Sequence, residues 1–270
     1  MSLKDKLNGG EMTLKQEIEN LCLKKLGRLP DIDNPQGYND KIQWLKLYDQ
    51  SQDQVTCVDK LAVRDWVAQR DKDCLIPLTD SFPAIWKCTH NSGGAIVVGD
   101  SSQATGAYNR LSKQLARLYG SGKGEWAYLY VKPQIIKETV LSDNTDYKFH
   151  CVNGKVRWIQ IIWGRQNAKP YECIMAADWK PTGVQMDEKM LKANFTTLPP
   201  ENARKRLISL AETLAQGWKY VRVDLYWSDN KAWFGELTFW PRAGCYKNDS
   251  DHLFGTLMNF SLDKKRPIVE

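Results

Sequence analysis

The chain of 270 residues is long enough to bury a substantial core but short for two independent domains, so one compact unit of two or three subdomains is expected. Charged residues make up 26% of the chain and hydrophobic residues 42%, proportions that disfavour disorder. No stretch approaches about 18 consecutive apolar residues, and the N-terminus lacks the apolar core of a signal peptide. These features predict a cytoplasmic protein without membrane insertion.

The net charge of +6 is modest, and Lys and Arg are spread along the chain without a dense basic run. Nucleic acid is therefore not an expected partner, whereas a cleft for anions such as nucleotide phosphates or acidic sugars fits the charge. The seven cysteines include no Cys-x-x-Cys pair and only three histidines are present, so a zinc site is not expected. Buried, reduced thiols are the simpler interpretation.

Helical periodicity dominates the chain up to residue 70. Thr13 and Gln16 form a capping box that opens the first helix, and Gly27 ends it. The apolar spacing then predicts a second helix from about Asn39 and a third, continuous helix over residues 58–70.

Beyond residue 80 the pattern changes to strands with two further helices. The predicted strands span 84–89, 95–98, 134–141, 146–152, 155–163, 171–177, 220–227 and 231–239, and the helices span 104–118 and 201–216. Asn153-Gly154 is typical of a tight hairpin turn. This order indicates an α+β fold in which helices pack on mostly antiparallel sheets.

The last hairpin carries two carboxylates. Strand alternation puts Arg222 and Asp224 on one face, and in the partner strand Glu236 and Thr238 share a face. With a three-residue turn over 228–230, both sets lie on the same side and Asp224 is diagonal to Glu236. Close carboxylates repel unless a cation lies between them, and hard oxygen ligands suit Mg²⁺. The alternative is a solvated sheet face with an Arg222–Glu236 ion pair.

A lysine and a glycine loop form the second informative segment. Lys87 interrupts an otherwise apolar strand, and the loop that follows ends Ser92-Gly93-Gly94. Glycines let backbone N–H groups approach phosphate oxygens, and a lysine supplies a point charge, so a phosphate site is one interpretation. A glycine-rich hairpin turn is the other, and no Gly-Lys-Ser/Thr follows that would make a Walker loop.

Five segments in this order resemble the ATP-grasp enzymes, and more closely their TupA-like branch, which is associated with teichuronopeptide and other surface-polysaccharide synthesis. The segments are residues 38–49, Asp59-Lys60 with Val63-Arg64, residues 87–94, residues 146–149 with 153–155, and residues 221–226 with 235–241. The resemblance implies an ATP-grasp fold that binds ATP between two subdomains. We expect an N-terminal helical subdomain (1–80), a small subdomain with the glycine loop (81–137) and a large subdomain with the metal site (138–270).

The resemblance also implies the site residues. Nucleotide would be bound by Lys60, Lys87, His90, Asn91, Ser92, Gly93, Gly94, Glu138, Thr139, Val140 and Leu141. Magnesium would be bound by Asp224, Glu236 and Thr238, and the catalytic residues would be Arg222 and Lys148. Thr238 stands where most ATP-grasp enzymes carry Asn, and its hydroxyl is the weaker ligand.

Individual roles follow from the same resemblance. Lys60 and Lys87 would hold the phosphates, Glu138 would take the adenine amino group, and residues 139–141 would add backbone contacts. Arg222 would stabilise charge on the transferred phosphoryl group. Two assignments have alternatives: Lys148 faces the nucleotide or substrate, or extends from an exposed sheet face. His90 donates to a phosphate, or is an exposed turn residue.

The implied activity is that of an ATP-dependent, ADP-forming carboxylate–amine ligase that works through an acyl phosphate. Its partners would be a small-molecule or glycan-linked carboxylate and an amine, in the biosynthesis or modification of a cell-surface polysaccharide such as capsule, lipopolysaccharide or teichuronopeptide. The alternatives are a phosphotransferase on the same fold, or a catalytically inactive relative that binds glycan or nucleic acid.

Overall fold

The computed structural model describes residues 12–165, 167–265 and 268. Its α-helices are α1 Leu14–Leu26, α2 Tyr38–Tyr48, α3 Gln52–Val58, α4 Val63–Asp71, α5 Ser101–Leu115, α6 Glu201–Leu214 and α7 Asp251–Leu257. Its strands are β1 Ala84–Cys88, β2 Ile96–Val98, β3 Ile135–Thr139, β4 Asp146–Val152, β5 Lys155–Trp163, β6 Tyr171–Ala176, β7 Leu191–Lys192, β8 Tyr220–Ser228 and β9 Lys231–Thr238. The predicted α+β class is confirmed. None of the helices in these residues is both long and apolar enough to cross a membrane.

The strands form two sheets. The small sheet has the order β2-β1-β3 and is antiparallel, and the large sheet has the order β7-β6-β5-β4-β8-β9 and is antiparallel except for the β6–β7 pair. In the small sheet, Trp86 and Cys88 share a core of their own with Ala107 and Leu111 of α5. The mostly antiparallel sheets expected from the sequence are confirmed.

One larger core lies on the large sheet. The apolar stripe of α6, with Leu207, Leu210 and Leu214, packs against it, and the N-terminal helices contribute to the same core. Cys151 of β4 contacts Ala211 of α6, so the odd-numbered residues of β4 face α6 and the even-numbered residues face the other side. The N-terminal helices and the large sheet therefore share one core, and the division into three subdomains stays a prediction.

The helix α1 holds a glycine-rich loop over residues 120–124. Glu17 is buried, and its carboxylate accepts hydrogen bonds from the amides of Gly122 and of Gly124, the latter at 3.0 Å. Gly124 has a φ of +64°, and a Cβ there would lie 2.6 Å from Ile18 Cγ1. The loop is therefore fixed from the N-terminal side of the chain.

The third helix expected over residues 58–70 is wrong as a single element, because the structure has two helices, α3 and α4. Between them, Asp59 Oδ1 accepts hydrogen bonds from the amides of Leu61 at 2.8 Å and Ala62 at 3.3 Å. Such local bonds compete with the backbone hydrogen bonds of a continuous helix. Lys60 lies in this break.

The turn between β8 and β9 has two residues, so the expected three-residue turn is wrong. Ser228 pairs with Lys231, and Asp229 and Asn230 both adopt left-handed φ values, of 54° and 55°. Two consecutive left-handed residues are typical of a type I′ hairpin turn. Uninterrupted pairing from a two-residue turn would put residues 224 and 236 on opposite faces.

A β-bulge at Gly235 reverses that consequence. The register shifts there by one residue, so that Asp224 pairs directly with Glu236. A Cβ at Gly235 would lie 2.9 Å from Tyr226 Cε2 and 3.0 Å from the Asp224 carbonyl oxygen, so the bulge leaves room only for glycine. The two carboxylates share a face and are directly opposite rather than diagonal.

Candidate active site

A row of polar side chains crosses the large sheet on the face opposite α6. Gln160, Lys148, Asp224 and Glu236 stand directly opposite one another in β5, β4, β8 and β9. Side chains at opposite positions of neighbouring strands have Cβ atoms about 4.5–5.5 Å apart, so they contact one another. We call these four residues the charged row.

Cations hold both carboxylate oxygens of Asp224. Arg222 donates from Nε to Oδ1 at 2.6 Å and from Nη2 to Oδ2 at 2.8 Å. Lys148 Nζ donates to the same Oδ2, and it also donates to Asp146 Oδ1 at 3.2 Å. The side chains of Lys148 and Asp224 are only 8% and 2% exposed. The charge of a buried carboxylate is therefore balanced within the protein.

Glu236 is the more open carboxylate, with 22% of its side chain exposed. Its Oε1 lies 3.4 Å from Arg222 Nη2 and accepts the Thr238 hydroxyl at 3.2 Å, and its Oε2 lies 3.9 Å from Lys60 Nζ. Burial acts to raise the pKa of Glu236, but the neighbouring cations, Lys60 first, outweigh burial and lower the pKa. Glu236 is therefore a carboxylate at neutral pH.

Lys60 connects the charged row with the glycine loop that follows β1. Its amide donates to the Thr89 carbonyl at 3.2 Å, and its Nζ donates to the Asn91 carbonyl. Burial lowers the pKa of Lys60. A buried ammonium that faces a loop carbonyl and one carboxylate is well suited to an additional anion.

Lys87 and Glu138 form a buried pair in the small sheet. Lys87 Nζ lies 2.6 Å from Glu138 Oε2, and Arg64 Nη1 lies 3.5 Å from Glu138 Oε1. The next residue, Thr139, donates from its amide and its hydroxyl to the Pro77 carbonyl, at 3.0 and 3.3 Å. The Glu138 carboxylate is thus directed at two cations, and its expected contact with adenine stays a prediction.

These groups open into one cleft of about 1400 Å³. It is lined by the following residues expected from the sequence: Lys60, Lys87, Ser92, Gly93, Gly94, Glu138, Thr139, Val140, Leu141, Lys148, Arg222, Asp224, Glu236 and Thr238. The structure brings together side chains that are up to 178 residues apart in the chain, from Lys60 to Thr238. Their individual roles stay predictions.

His90 and Asn91 do not belong to this lining. His90 is buried, so the alternative of an exposed turn residue is wrong, and its Nε2 lies 3.2 Å from the Arg117 carbonyl. Burial lowers the pKa of His90. Asn91 donates from Nδ2 to Gln114 Oε1 at 2.8 Å. Both side chains tie the loop to the region of α5, and only the Asn91 carbonyl turns towards Lys60.

Sequence reasoning missed Asp146 and Arg165. Asp146 Oδ2 accepts hydrogen bonds from Arg165, from Nε at 2.8 Å and also from Nη2, and both residues line the cleft. Asp146 lies two residues before Lys148, so strand alternation could have placed it on the same face. Arg165 follows the end of β5 in a loop, where no periodicity indicates the direction of a side chain.

Arg242 also lines the cleft, in a segment of unusual backbone conformation. Arg242 and Ala243 both have a φ of 54°, in the left-handed region that disfavours residues other than glycine. The Arg242 guanidinium holds the buried Asp187 carboxylate, with Nε 3.1 Å from Oδ2. This ion pair fixes the segment that follows β9, which forms one wall of the cleft.

The two carboxylates of the charged row, together with Thr238, fit a hard divalent cation. Asp224, Glu236 and Thr238 offer two carboxylates and a hydroxyl on one face, and Mg²⁺ takes such oxygen ligands together with substrate phosphates. No group of three or more His, Cys, Asp or Glu side chains in the described part of the chain could hold a metal ion by itself. The set therefore fits a cation that brings further oxygen ligands with it.

The sequence match decides the family. Residues 40–259 match the TupA-like ATP-grasp family, and this region contains every residue of the site described above. The chain belongs to the TupA-like ATP-grasp family. No curated protein matches the sequence.

The chain is similar to solved structures of two ligases and a carboxylase. D-alanine–D-alanine ligase from Helicobacter pylori is 11% identical, with 84% of this chain and 70% of that chain covered and a TM-score of 0.47. The biotin carboxylase–β,γ-ATP complex from Campylobacter jejuni is 14% identical, with 94% and 53% covered and a TM-score of 0.48. L-amino acid ligase from Bacillus licheniformis is 13% identical, with 67% and 40% covered and a TM-score of 0.41. The chain spans about half the length of the biotin carboxylase.

Proposed function

We propose that this protein is an ATP-dependent ligase that activates a carboxylate as an acyl phosphate and joins it to an amine. One observation carries the proposal: Lys60 Nζ contacts the glycine loop at the Asn91 carbonyl and lies 3.9 Å from Glu236 Oε2. A lysine placed to bind phosphate therefore stands beside the row that offers oxygen ligands for a metal. Membership of the TupA-like ATP-grasp family supports the same interpretation.

The nucleotide would lie along the cleft between the two sheets. Lys60, Lys87 and the backbone of residues 92–94 would bind the phosphates, because two lysines and a glycine loop line the same part of the cleft. Gly93 and Gly94 have φ values of 79° and 75°, which suit glycine. The edge from Glu138 to Leu141 would take adenine, and the Glu138 carboxylate would also orient Lys87.

The metal would be bound at the charged row. Asp224, Glu236 and the Thr238 hydroxyl would hold Mg²⁺, which would neutralise charge on the phosphates. Arg222 and Lys148 would stabilise the charge on the phosphoryl group during transfer. Arg222 is held for this role by Asp224 and by Thr238, whose Oγ1 accepts from Nη2 at 3.0 Å.

The chemistry needs two displacements. A carboxylate oxygen of the substrate attacks the γ-phosphorus, and the bond to the oxygen that ADP retains is broken. The amine nitrogen then attacks the acyl carbon, and phosphate leaves with the bonding electrons and takes up the proton of the amine. Neither step requires a side-chain nucleophile, since positioning and charge neutralisation supply the rate enhancement.

The proposed substrates are a sugar acid or amino acid and an amine that become part of a cell-surface polysaccharide, made in the cytoplasm. A screen of uronic acids and amino acids, with and without amines, tests the activity by release of ADP and phosphate. We expect release that depends on both substrates, and AMP with pyrophosphate would contradict an acyl phosphate. ADP release without any dependence on amine would favour a phosphotransferase, and absence of Mg-ATP binding in calorimetry would favour an inactive binding relative.

Substitution of Lys87, the lysine of β1, tests the nucleotide site, and an exposed lysine of α5 provides the control. Lys87→Ala should weaken ATP binding, because Lys87 lines the phosphate end of the cleft. Lys113→Ala, on the exposed side of α5, should leave it unchanged. Equal ATP affinity in both variants, measured by calorimetry, would remove Lys87 from the nucleotide site.

A further inference from the structure

Lys148 is shared between two carboxylates. Its Nζ donates to Asp224 Oδ2 in the charged row and to Asp146 Oδ1 at 3.2 Å. The three side chains are almost fully buried, with exposures of 8% for Lys148, 2% for Asp224 and 6% for Asp146. The ammonium thus contacts two buried carboxylates at the same time.

Both carboxylate oxygens of Asp224 are already occupied by cations of the protein. Its Oδ1 accepts from Arg222 Nε at 2.6 Å, and its Oδ2 accepts from Arg222 Nη2 at 2.8 Å and from Lys148. A metal ion that binds Oδ2 must displace Lys148, because an ammonium and a metal cannot share one lone-pair region of a carboxylate. Displacement is possible without loss of charge pairing only if the ammonium keeps another carboxylate.

Asp146 is that carboxylate. It is already in contact with Lys148, and the flexible four-carbon stem of lysine allows a small movement towards it. Asp146 is itself fixed, because Arg165 donates to its Oδ2 from Nε at 2.8 Å and also from Nη2. The fixed carboxylate would hold the lysine beside the cleft after the metal has entered.

The charges of the site indicate when this happens. Among the ion-paired groups around Asp224, the cations Lys60, Lys148, Arg165 and Arg222 face the carboxylates Asp146, Asp224 and Glu236, an excess of one positive charge within this set. A metal ion alone would add two further positive charges to this excess, and Coulomb repulsion in a buried site opposes that. A nucleotide triphosphate brings the negative charge that balances both the metal and the released lysine.

We propose that Lys148 occupies the metal side of Asp224 in the resting protein, and that Asp146 is the positioning residue that keeps the lysine when metal and nucleotide enter together. This inference rests on the proposed function, since it concerns the same site. It assigns a role to Asp146 and an order to binding: the metal does not precede the nucleotide.

Titration with Mn²⁺, followed by electron paramagnetic resonance of the free ion, tests the order of binding. We expect wild-type protein to bind Mn²⁺ at least about tenfold more tightly with the non-hydrolysable β,γ-imido analogue of ATP than without it. Lys148→Met should bind Mn²⁺ alone at least about tenfold more tightly than wild type, because the ammonium no longer occupies its side of Asp224 Oδ2. Lys148→Gln provides a second variant if the methionine variant does not fold, and Lys155→Met, on an exposed lysine of β5, is the matched control that should change nothing.

Asp146→Asn separates positioning from a merely structural role. Without this carboxylate Lys148 stays on Asp224, so Mn²⁺ affinity in the presence of the analogue should fall about tenfold while metal-free binding of the analogue is kept. An equal fall in both affinities would overturn the positioning role, and tight Mn²⁺ binding by nucleotide-free wild type would overturn the inference altogether.

Failure of the amide-forming screen would contradict the proposed function without changing these titrations. If the analogue does not bind, Mn²⁺ alone still compares wild type with Lys148→Met.

Discussion

Lys148 and His150 lie two residues apart on the same face of β4, yet they belong to different kinds of environment. Lys148 lines the cleft and contacts two carboxylates. His150 is fully buried, its Nδ1 lies 2.8 Å from the Tyr220 hydroxyl, and its ring stacks on Trp158 with centroids 4.4 Å apart. Strand alternation predicts that both point the same way, but it does not predict what covers them.

The cover comes from helices that are distant in the sequence. Tyr38 of α2 places its hydroxyl 2.9 Å from that of Tyr220, and Phe254 of α7 lies 5.1 Å from Trp158, ring centroid to ring centroid. Burial, and then the charge of Arg222, lower the pKa of His150 well below its usual value. Two residues along one strand face, Lys148 and His150, therefore lie in a polar cleft and in an aromatic core, respectively. Three substitutions test that contrast.

The largest effect is expected from breaking the charged row with Asp224→Asn. Loss of the carboxylate should lower ADP release by about 100-fold or more, because charge at the transferred phosphoryl group is no longer balanced. It should also lower the free energy of unfolding by about 3 kcal/mol, since Arg222 and Lys148 are left buried with less negative charge. Enzyme assays and urea unfolding measure the two effects.

Asp178→Asn is the control for this substitution. Asp178 is exposed and pairs with the exposed Lys180 at 2.7 Å, so neither activity nor unfolding should change. If Asp224→Asn also left stability unchanged, the ion pairs of the charged row would not be contributing to the fold.

The second substitution, Gly235→Ala, removes the bulge that puts Glu236 in the charged row. The added Cβ would meet the Asp224 carbonyl oxygen at 3.0 Å and Tyr226 Cε2 at 2.9 Å, so we expect a loss of about 1–3 kcal/mol in unfolding free energy. Activity should fall with it, because the two carboxylates no longer stay opposite each other. Gly106→Ala, in α5 where a Cβ meets nothing within 4 Å, should instead stabilise by about 0.5–1 kcal/mol. Equal effects of the two alanines in urea unfolding would contradict a role for the bulge.

The smallest effect is expected on the covered side, from His150→Asn. Because the folded state resists protonation of His150, stability is complete above the unfolded pKa of about 6.5 and is lost as pH falls below it, by up to about 1.4 kcal/mol per pH unit. Asparagine does not titrate there, so the difference in unfolding free energy between variant and wild type should shrink towards pH 5. The difference should be constant above pH 7. A difference that does not vary with pH would show that folding leaves the pKa of His150 unchanged.

The sequence predicted most elements of this fold because hydrophobic periodicity and turn residues are local signals. Asn153-Gly154 forms the expected tight turn, with Val152 opposite Lys155. The break between α3 and α4 was harder to predict. It depends on the Asp59 side chain, which accepts hydrogen bonds from the amides of Leu61 and Ala62. That break, and not helical spacing, places Lys60 against the glycine loop.

The face of Glu236 was predicted for an incorrect reason. Two errors cancelled: the turn is shorter by one residue than expected, and a bulge at Gly235 adds one residue back. A glycine inside a strand is itself a signal for a bulge and could have been used. For His90 no local signal exists, since its burial depends on the position of α5 relative to the loop.

The contact between Glu17 and the loop over residues 120–124 has a practical consequence for anyone who shortens this protein. The match to the family begins at residue 40, so a chain cut to the matched region would lose α1 and with it the carboxylate that holds the amides of Gly122 and Gly124. The same cut would uncover the core positions against which Leu14 and Ile18 pack. The boundary at which a family can be recognised is therefore not a boundary at which this chain can be divided, and truncated versions for crystallisation or screening are best begun before residue 13.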